Sequence, residues 1–307
     1  METKHVPVMA QETIQYLVNK EDGIYVDCTL GTGGHFSKIA KSTSDQAILI
    51  GFDADQKAID YCRQHLDIDK KYILINSNFE NLKKFCYRHG YTKVSGILMD
   101  LGMSSFALDD PTRGFAFDME GPLDMRFSKD QEMTASDFLN NAEPNEIKKV
   151  LKNFGEVRRP SAIVMGIVEF RKEKKIETTA ELKQIIASRT PYRLRKKILS
   201  QVFQAIRIKV NKELSVLEKA LKQALELLES EGRLVVISYH SLEDRIAKHF
   251  FKERAKDCIC PPEFPICKCD HEKEIEILTG SPITPQEEEI KENPRARSAK
   301  LRAIEKI

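Results

Sequence analysis

Short apolar runs alternate with amphipathic segments over residues 8–100 of the chain. Four runs have the length and apolar content of buried strands: residues 23–28, 47–52, 72–76 and 94–100. Segments with helical spacing of apolar residues flank them: residues 8–19, 36–40, 56–66 and 82–87. Because parallel strands are joined by such helices, the pattern predicts an α/β fold with a doubly wound, mostly parallel sheet.

The alternation stops in the middle of the chain. Residues 109–204 contain no β-rich run, and helical spacing recurs around residues 143–154, 162–174 and 179–188. We therefore predict an inserted, mainly helical subdomain over residues 109–204, and a core formed by residues 1–108 and 205–307. In the second part of the core, the pattern predicts a helix over residues 210–229 and strands at 233–238 and within 299–306.

Composition is that of a folded, soluble protein. Of the 307 residues, 41% are apolar and 31% are charged, which excludes a disordered chain. No apolar run approaches the length of a membrane span, and the first residues lack the apolar region of a secretion signal. Seven cysteines without such a signal favour a reduced, cytoplasmic location.

Charge is unevenly distributed along the chain. The net charge is +2, whereas residues 145–213 carry 18 Lys and Arg against 7 Asp and Glu, a balance of +11, so that the remainder carries −9. A basic segment on an acidic protein indicates a polyanionic partner, most simply a nucleic acid. Solvated, lysine-rich helix faces explain the same count.

A glycine loop follows the first predicted strand. Gly31, Gly33 and Gly34 lie between that strand and a helix, where backbone N–H groups and the positive end of the helix dipole can face a ligand. Asp53 follows the next strand and suits ribose hydroxyls. Loop, strand and acid together predict a nucleoside-containing cofactor. A nicotinamide-dependent oxidoreductase is less favoured, because the third glycine of G-x-G-x-x-G is missing.

Two more residues follow predicted strands. Phe79 comes after the third strand and could pack against an adenine ring or in the core. Asp100 ends the fourth strand, as a site residue or as a cap for the next element. In an open α/β sheet, ligands bind outside the carboxyl ends of the strands, so these residues are expected to converge with the glycine loop on one crevice.

Four thiols occur within twelve residues near the end of the chain: Cys258, Cys260, Cys267 and Cys269. Such a set can bind zinc as a tetrahedral thiolate site. The two C-x-C pairs are, however, tighter than the usual C-x-x-C spacing. We therefore predict a loop of free thiols without metal, and keep a zinc site as the alternative.

The motifs together resemble those of the ribosomal RNA small subunit methyltransferase H family, also called RsmH or MraW. They occur in order along nearly the full chain: residues 5–9, 27–35, 53–55, 100–105, 113–115, 121–126, 203–211, 240–245 and 293–299. The double C-x-C loop is similar to one carried by many members. The resemblance implies a Rossmann-like methyltransferase sheet and S-adenosylmethionine as the cofactor.

The resemblance also implies an activity and a set of contacts. The family methylates the exocyclic N4 of cytidine 1402 in 16S ribosomal RNA, which would make that RNA or the small ribosomal subunit the partner. The implied cofactor contacts are Gly33, Gly34, His35, Asp53, Phe79 and Asp100. A further family contact is a glutamine, whose position is Ala107 here, so that any contact there is backbone or apolar. The alternative is an RNA-binding assembly factor of the small subunit that keeps the cofactor-binding fold with weak or no catalysis.

Chemistry assigns roles to some of these side chains. The amino nitrogen of cytosine is a poor nucleophile, and Asp100 is the candidate catalytic residue that would accept one of its N–H groups. The alternative is that this carboxylate only holds the cofactor. The candidate RNA contacts are five arginines: Arg113, Arg126, Arg245, Arg295 and Arg297. For each arginine a structural ion pair is the alternative. The sequence leaves the oligomeric state open, a dimer included.

Overall fold

The computed structural model describes residues 6–103, 105–260, 268–269 and 271–307. The chain divides into two compact units: residues up to Gly102 together with Leu214–Ile307, and Met103–Glu213. The predicted boundary at residues 204 and 205 is wrong in position, because it falls inside the helix Arg195–Asn211. Buried residues on both sides of that boundary, such as Phe203 and Ile206, pack in the core of the second unit.

The first unit is built on a seven-stranded sheet. Its strands are β1 (Ile24–Asp27), β2 (Ile48–Asp53), β3 (Tyr72–Asn76), β4 (Val94–Asp100), β5 (Leu228–Ser238), β6 (Ile275–Ile277) and β7 (Lys300–Lys306). The strand order is β3-β2-β1-β4-β5-β7-β6. Strands β1 to β5 pair in parallel, and β7 is antiparallel to both of its neighbours. The predicted α/β fold with a mostly parallel sheet is confirmed.

Helices cover both faces of this sheet. Those of the first unit are α1 (Ala10–Leu17), α2 (Gly34–Lys41), α3 (Gln56–His65), α4 (Leu82–Arg88), α11 (Glu213–Leu227, the first residue of which belongs to the second unit), α12 (Ser241–Arg254) and α13 (Glu287–Glu292). Successive strand residues point to opposite faces. Val26 therefore packs with α4, α11 and α12, while its neighbour Tyr25 packs with α1, α2 and α3.

The second unit is helical. It contains α5 (Ser105–Leu108), α6 (Ala135–Asn141), α7 (Pro144–Asn153), α8 (Ser161–Glu173), α9 (Thr179–Ser188) and α10 (Arg195–Asn211). One apolar cluster joins α6 to α10, with a buried residue from each: Phe138, Ile147, Ile163, Leu182 and Phe203. Capping boxes fix the first turns of α6 and α9, through Thr134 with Asp137 and Thr178 with Glu181.

Two predictions near the second half of the sheet are wrong. The predicted helix over 210–229 is two helices, because Lys212 takes a left-handed conformation with φ of 52° and ends α10. The predicted strand at 233–238 begins earlier, at Leu228, with Glu231 at φ of 65° where the pairing with β4 shifts register. Among the described residues, no helix combines the length and the apolar composition needed to cross a bilayer.

Candidate functional site

Three adjacent parallel strands each end in an aspartate. Asp27, Asp53 and Asp100 are the last residues of β1, β2 and β4. Because β1 lies between β2 and β4, the three carboxyl groups are brought to the same edge of the sheet. Asp53 and Asp100 were predicted as site residues and Asp27 was not, although the same signal, an acid at the end of a strand, marks it.

The glycine loop lies at this edge. The N–H of Gly31 donates a hydrogen bond of 2.8 Å to Oδ2 of Asp53. Gly31 has φ of +52°, and among the described atoms a Cβ added to it would meet only the carbonyl oxygen of Thr29, at 3.9 Å. Gly33 is the left-handed N-cap of α2, and a Cβ there would lie 2.7 Å from Leu66. The space where a side chain would point is therefore open at Gly31, whereas at Gly33 it is filled by Leu66.

Gly34 lies against the N-terminal segment. A Cβ at Gly34 would lie 3.2 Å from the ring of Pro7, so that glycine permits this packing. The segment is tied to α13, since the N–H of Met9 donates to Oε1 of Glu289 at 2.6 Å. Gly34 thus positions the chain around the start of α2.

Asp53 is held by backbone groups on both of its oxygens. Besides Gly31, the N–H of Asp55 donates to Oδ1 at 2.8 Å. Burial raises the pKa of Asp53 to about 6, although the two N–H groups oppose the shift. Each carboxylate oxygen has a further lone pair, so the side chain can still accept hydrogen bonds from a ligand.

Asp27 is the most deeply buried of the three aspartates, with 1% of its surface exposed. Its Oδ1 accepts the N–H of Thr29 at 3.0 Å, and the hydroxyl of Thr29 accepts the N–H of Asp100 at 2.9 Å. Burial raises the pKa of Asp27 to about 6, opposed by the charge of His35 and the N–H of Thr29. Among the described atoms, Oδ2 of Asp27 has no hydrogen-bond partner.

His35 and Asp100 lie side by side at this edge of the sheet. Nε2 of His35 lies 3.5 Å from Oδ2 of Asp100. Burial alone would lower the pKa of His35, but the interactions with Asp100, and then the charges of Asp27 and Glu289, raise it above its ordinary value. No hydrogen-bond partner within the described part of the chain meets the ring nitrogens of His35 or Oδ1 of Asp100.

Tyr239 joins this pair from the end of β5. The pKa of its hydroxyl is raised well above the ordinary value, mainly by burial. The negative charge of Asp100, to which the hydroxyl donates a hydrogen bond, raises it further. Tyr239 also packs against Gly102, where a Cβ would lie 2.9 Å from its ring. Sequence reasoning missed Tyr239 as a site residue, although it directly follows a predicted strand.

Phe79 begins a 3₁₀ turn just beyond β3. The side chain of Asn78 caps this turn by accepting the N–H of Glu80 at 3.0 Å. Phe79 is half-buried and packs against the sheet core. Its ring is thus fixed at the carboxyl end of a strand, while part of it stays accessible.

Three predicted site residues lie in the second unit. Ala107 is buried in the core of that unit. Arg113 is 7% exposed, and its guanidinium donates to the carbonyl oxygens of Arg126 and Phe127 at 2.9 and 3.0 Å. Arg126 forms a bidentate pair with Asp124, at 2.7 and 2.8 Å, and also donates to two carbonyl oxygens. Donors of both arginines are used inside the fold, which supports the structural alternative for Arg113 and Arg126 over RNA contacts.

The remaining predicted arginines are exposed on the first unit. Arg245 lies on α12, and Arg295 and Arg297 lie on the 3₁₀ segment Pro294–Ser298. Asn293, just before that segment, donates to the carbonyl oxygen of Val6 at 3.3 Å, which ties it to the N-terminal segment. Of the cysteine loop, Cys258, Cys260 and Cys269 are described, and Cys267 lies outside the described residues.

The charges at the sheet edge define the ligand that fits. Among the described atoms, Oδ2 of Asp27 and Oδ1 of Asp100 have no hydrogen-bond partner, which favours a positively charged group near them. Asp53 can accept from ribose hydroxyls, and the open side of Gly31 lets a ligand approach the backbone. A dinucleotide would bring a pyrophosphate toward this acidic edge, which disfavours the oxidoreductase alternative. The geometry therefore favours a cationic nucleoside.

Comparison with known proteins identifies the family. A model of the MraW methylase family matches residues 2–307. A Clostridium botulinum (strain Kyoto / Type A2) protein named Ribosomal RNA small subunit methyltransferase H is 46% identical over 309 residues, covering 100% of both chains. Proteins of the same name from Clostridioides difficile and Fusobacterium nucleatum are each 45% identical, covering 100% and 97% of those proteins. The chain therefore belongs to the MraW methylase family, and its cofactor is S-adenosylmethionine.

Proposed function

We propose that this protein transfers a methyl group from S-adenosylmethionine to the exocyclic N4 of cytidine 1402 in the 16S RNA of the small ribosomal subunit. The substrate class is supported by the names of relatives that are 45–46% identical over their full length. The base and its position rest on the resemblance of the sequence motifs. The structural observation that carries methyl transfer is the pair of His35 and Asp100 at the acidic sheet edge.

The residues at the sheet edge fit the cofactor. S-adenosylmethionine supplies an activated methyl group on a positively charged sulfonium. Asp27 and Asp100 each offer a buried, unpaired oxygen among the described atoms, which favours that charge. Asp53 would accept from the ribose hydroxyls, and Phe79 would pack against the adenine. Gly31 would allow close approach to the loop.

Asp100 is the residue best suited to act on the acceptor. The amino nitrogen of cytosine has its lone pair delocalised into the ring, so that it attacks poorly. A carboxylate that accepts one of its N–H groups favours a pyramidal nitrogen and takes up the proton lost when the new N–C bond forms. His35 lies on Oδ2 of Asp100, which leaves Oδ1 for the substrate. The remaining rate enhancement would come from holding the acceptor nitrogen and the methyl group in alignment.

RNA binding would use exposed positive charge. A base must be unstacked before its amino group can reach such a crevice, which favours a loop or a splayed strand over a duplex. Arg245, Arg295 and Arg297 are exposed candidates for phosphate contacts on the first unit. Residues 145–213, with a net charge of +11, add a basic surface on the second unit.

The decisive experiment compares 16S RNA from cells with and without this protein by mass spectrometry of its nucleosides and fragments. We expect one N4-methylated cytidine, in the fragment that contains position 1402, to disappear when the protein is absent. Re-expression of the wild-type chain should restore it, and Asp100→Asn should not. Identical mass spectra of the 16S RNA with and without the protein would contradict the proposal. Binding of small subunits without any methyl transfer would favour the assembly-factor alternative.

A further inference from the structure

The loop that carries the clustered cysteines is closed at its base. It leaves α12 at Arg254 and returns at Glu274, just before β6. The N–H of Glu274 donates to the carbonyl oxygen of Arg254 at 2.9 Å, and their side chains form an ion pair at 2.6 Å. His271 also lies 3.2 Å from the carbonyl oxygen of Glu253. The two ends of the loop are therefore fixed beside each other.

Three thiols meet inside this loop. The sulfur atoms of Cys258, Cys260 and Cys269 all lie within 4.8 Å of one another. The Sγ atoms of Cys258 and Cys269 are 3.6 Å apart. In a tetrahedral site with Zn–S bonds of about 2.3 Å, the sulfur atoms are roughly 3.8 Å apart. The cluster thus has nearly the spacing of metal-bound thiolates, although eleven positions separate its first and last cysteine.

Backbone donors point at these sulfur atoms. The N–H of Cys260 lies 3.3 Å from Sγ of Cys258, and the N–H of Lys268 lies 3.3 Å from Sγ of Cys260. A hydrogen bond to sulfur stabilises the thiolate relative to the thiol, and such outer bonds orient metal ligands. No step of methyl transfer uses these thiols. The C-x-C spacing led us to expect free thiols, but the fold returns Cys269 to the side of Cys258.

We propose that Cys258, Cys260 and Cys269 form a structural site for a thiophilic divalent cation of the zinc class. Three thiolates bind the ion and a further ligand completes the tetrahedron. Binding displaces the thiol protons to solvent and involves no change of oxidation state. The ion would fix the loop between α12 and β6. Cys267 lies outside the described residues, and the site is defined by the other three thiols alone.

The test uses the full-length protein, purified under reducing conditions from zinc-supplemented cells. Bound metal is measured by mass spectrometry of the elements, and the protein is then stripped and titrated with Co²⁺. We expect about one zinc per chain, X-ray absorption with Zn–S distances of about 2.3 Å, and a thiolate-to-cobalt charge-transfer band. The variant Cys258→Ser/Cys269→Ser should lose the zinc and the band.

A matched control is Cys86→Ala, which removes a buried thiol on α4 and should leave the metal content unchanged. Circular dichroism verifies that each variant is folded. Because the cobalt band is also recorded on the stripped wild-type chain, the result does not depend on the stability of the double variant. A reduced wild-type chain that binds neither ion overturns the proposal. So does equal metal content in the double variant, or a disulfide between Cys258 and Cys269 in the native protein.

Discussion

Nε2 of His35 lies 3.5 Å from Oδ2 of Asp100, with 7% and 19% of the two side chains exposed. An ion pair so far removed from water is held by its surroundings, here the end of β4 and the first turn of α2. The imidazole lies against Oδ2 of the carboxylate. Oδ1, the other oxygen, has no hydrogen-bond partner within the described residues, and it is the atom that the proposed methyl transfer assigns to the substrate.

Replacing Asp100 with asparagine should abolish most of the methyl transfer. The amide keeps the shape of the side chain but cannot take up a proton, and general-base catalysis is worth about 10²–10⁴ in rate. Single-turnover methylation of small ribosomal subunits measures the rate, and calorimetry measures S-adenosylmethionine affinity separately. A rate loss that is wholly matched by lost cofactor affinity would contradict a role of Asp100 in proton transfer.

The contribution of His35 to the free energy of unfolding should decrease as pH rises. The pKa of His35 is raised in the folded state by Asp100, against the effect of burial. The protonated imidazole therefore stabilises the fold below the unfolded pKa of about 6.5, and this contribution is lost as pH rises through the folded pKa. Urea denaturation at pH 6 and at pH 8.5 should show a larger decline for the wild type than for His35→Gln, in which only groups such as Asp27 and Asp53 still contribute. Equal declines in both proteins would contradict the ion pair.

Cofactor affinity should fall when the pH drops below about 6. The pKa of Asp53 is raised to about 6, mainly by burial, so that the carboxylate gains a proton in that range. Protonation removes the negative charge that accepts ribose hydroxyls, which should weaken binding up to about tenfold between pH 7 and pH 5. Asp53→Asn should bind weakly at both pH values.

The titration of Asp53 should also change the stability of the free protein. Its folded pKa lies above the unfolded value of 3.8, so the free protein should become more stable as pH falls from 7 toward 4. Asp27 titrates in the same range, since its pKa is also about 6. Asp27→Asn removes the contribution of Asp27 from the binding experiment and should keep the part of the pH dependence that comes from Asp53. If Asp27→Asn loses the pH dependence completely, the assignment to Asp53 is wrong.

Strand positions were predictable where apolar runs are bounded on both sides by polar residues. The predicted bounds of β3 and β4 are those of the structure, and so are those of α9. The break between α10 and α11 was not predictable, because the apolar spacing continues across Lys212 and lysine has no preference for the left-handed conformation found there. Strand β6 spans three residues, too few for a periodic signal.

The positions of the site residues were predicted from one rule, that ligands bind at the carboxyl ends of parallel strands. The rule placed Asp53 and Asp100 correctly at the edge of the sheet, and it would have added Asp27 and Tyr239 had it been applied to β1 and β5. It could not distinguish exposed from internal arginines. A guanidinium that binds carbonyl oxygens of a distant loop, as Arg113 does, has no signature in the sequence.

Replacing Gly31 with alanine should block the cofactor without unfolding the chain. Gly31 has φ of +52° and open space where a Cβ would point, so the cost in stability is only that of the left-handed conformation, about 1 kcal/mol. Gly90 is the matched control, with φ of +85° and no atom within 4 Å among the described residues. Both variants should lose similar stability to urea, while only Gly31→Ala loses S-adenosylmethionine affinity in calorimetry. Unchanged affinity would show that the ligand does not use this space.

Alanine substitutions of Arg113 and Arg297 should affect different properties, stability for Arg113 and RNA binding for Arg297. Arg113→Ala removes the donor from the part-buried carbonyl oxygens of Arg126 and Phe127 and should lower the free energy of unfolding by about 2–3 kcal/mol. Arg297 is exposed, so Arg297→Ala should change stability by less than about 0.5 kcal/mol. If Arg297 contacts a phosphate, its loss weakens RNA binding and reduces the slope of log affinity against log salt by about one. Urea denaturation and RNA binding over a range of salt concentrations measure both quantities. An unchanged salt slope for Arg297→Ala would remove this arginine from the RNA-binding surface, and an unchanged stability for Arg113→Ala would contradict its structural role.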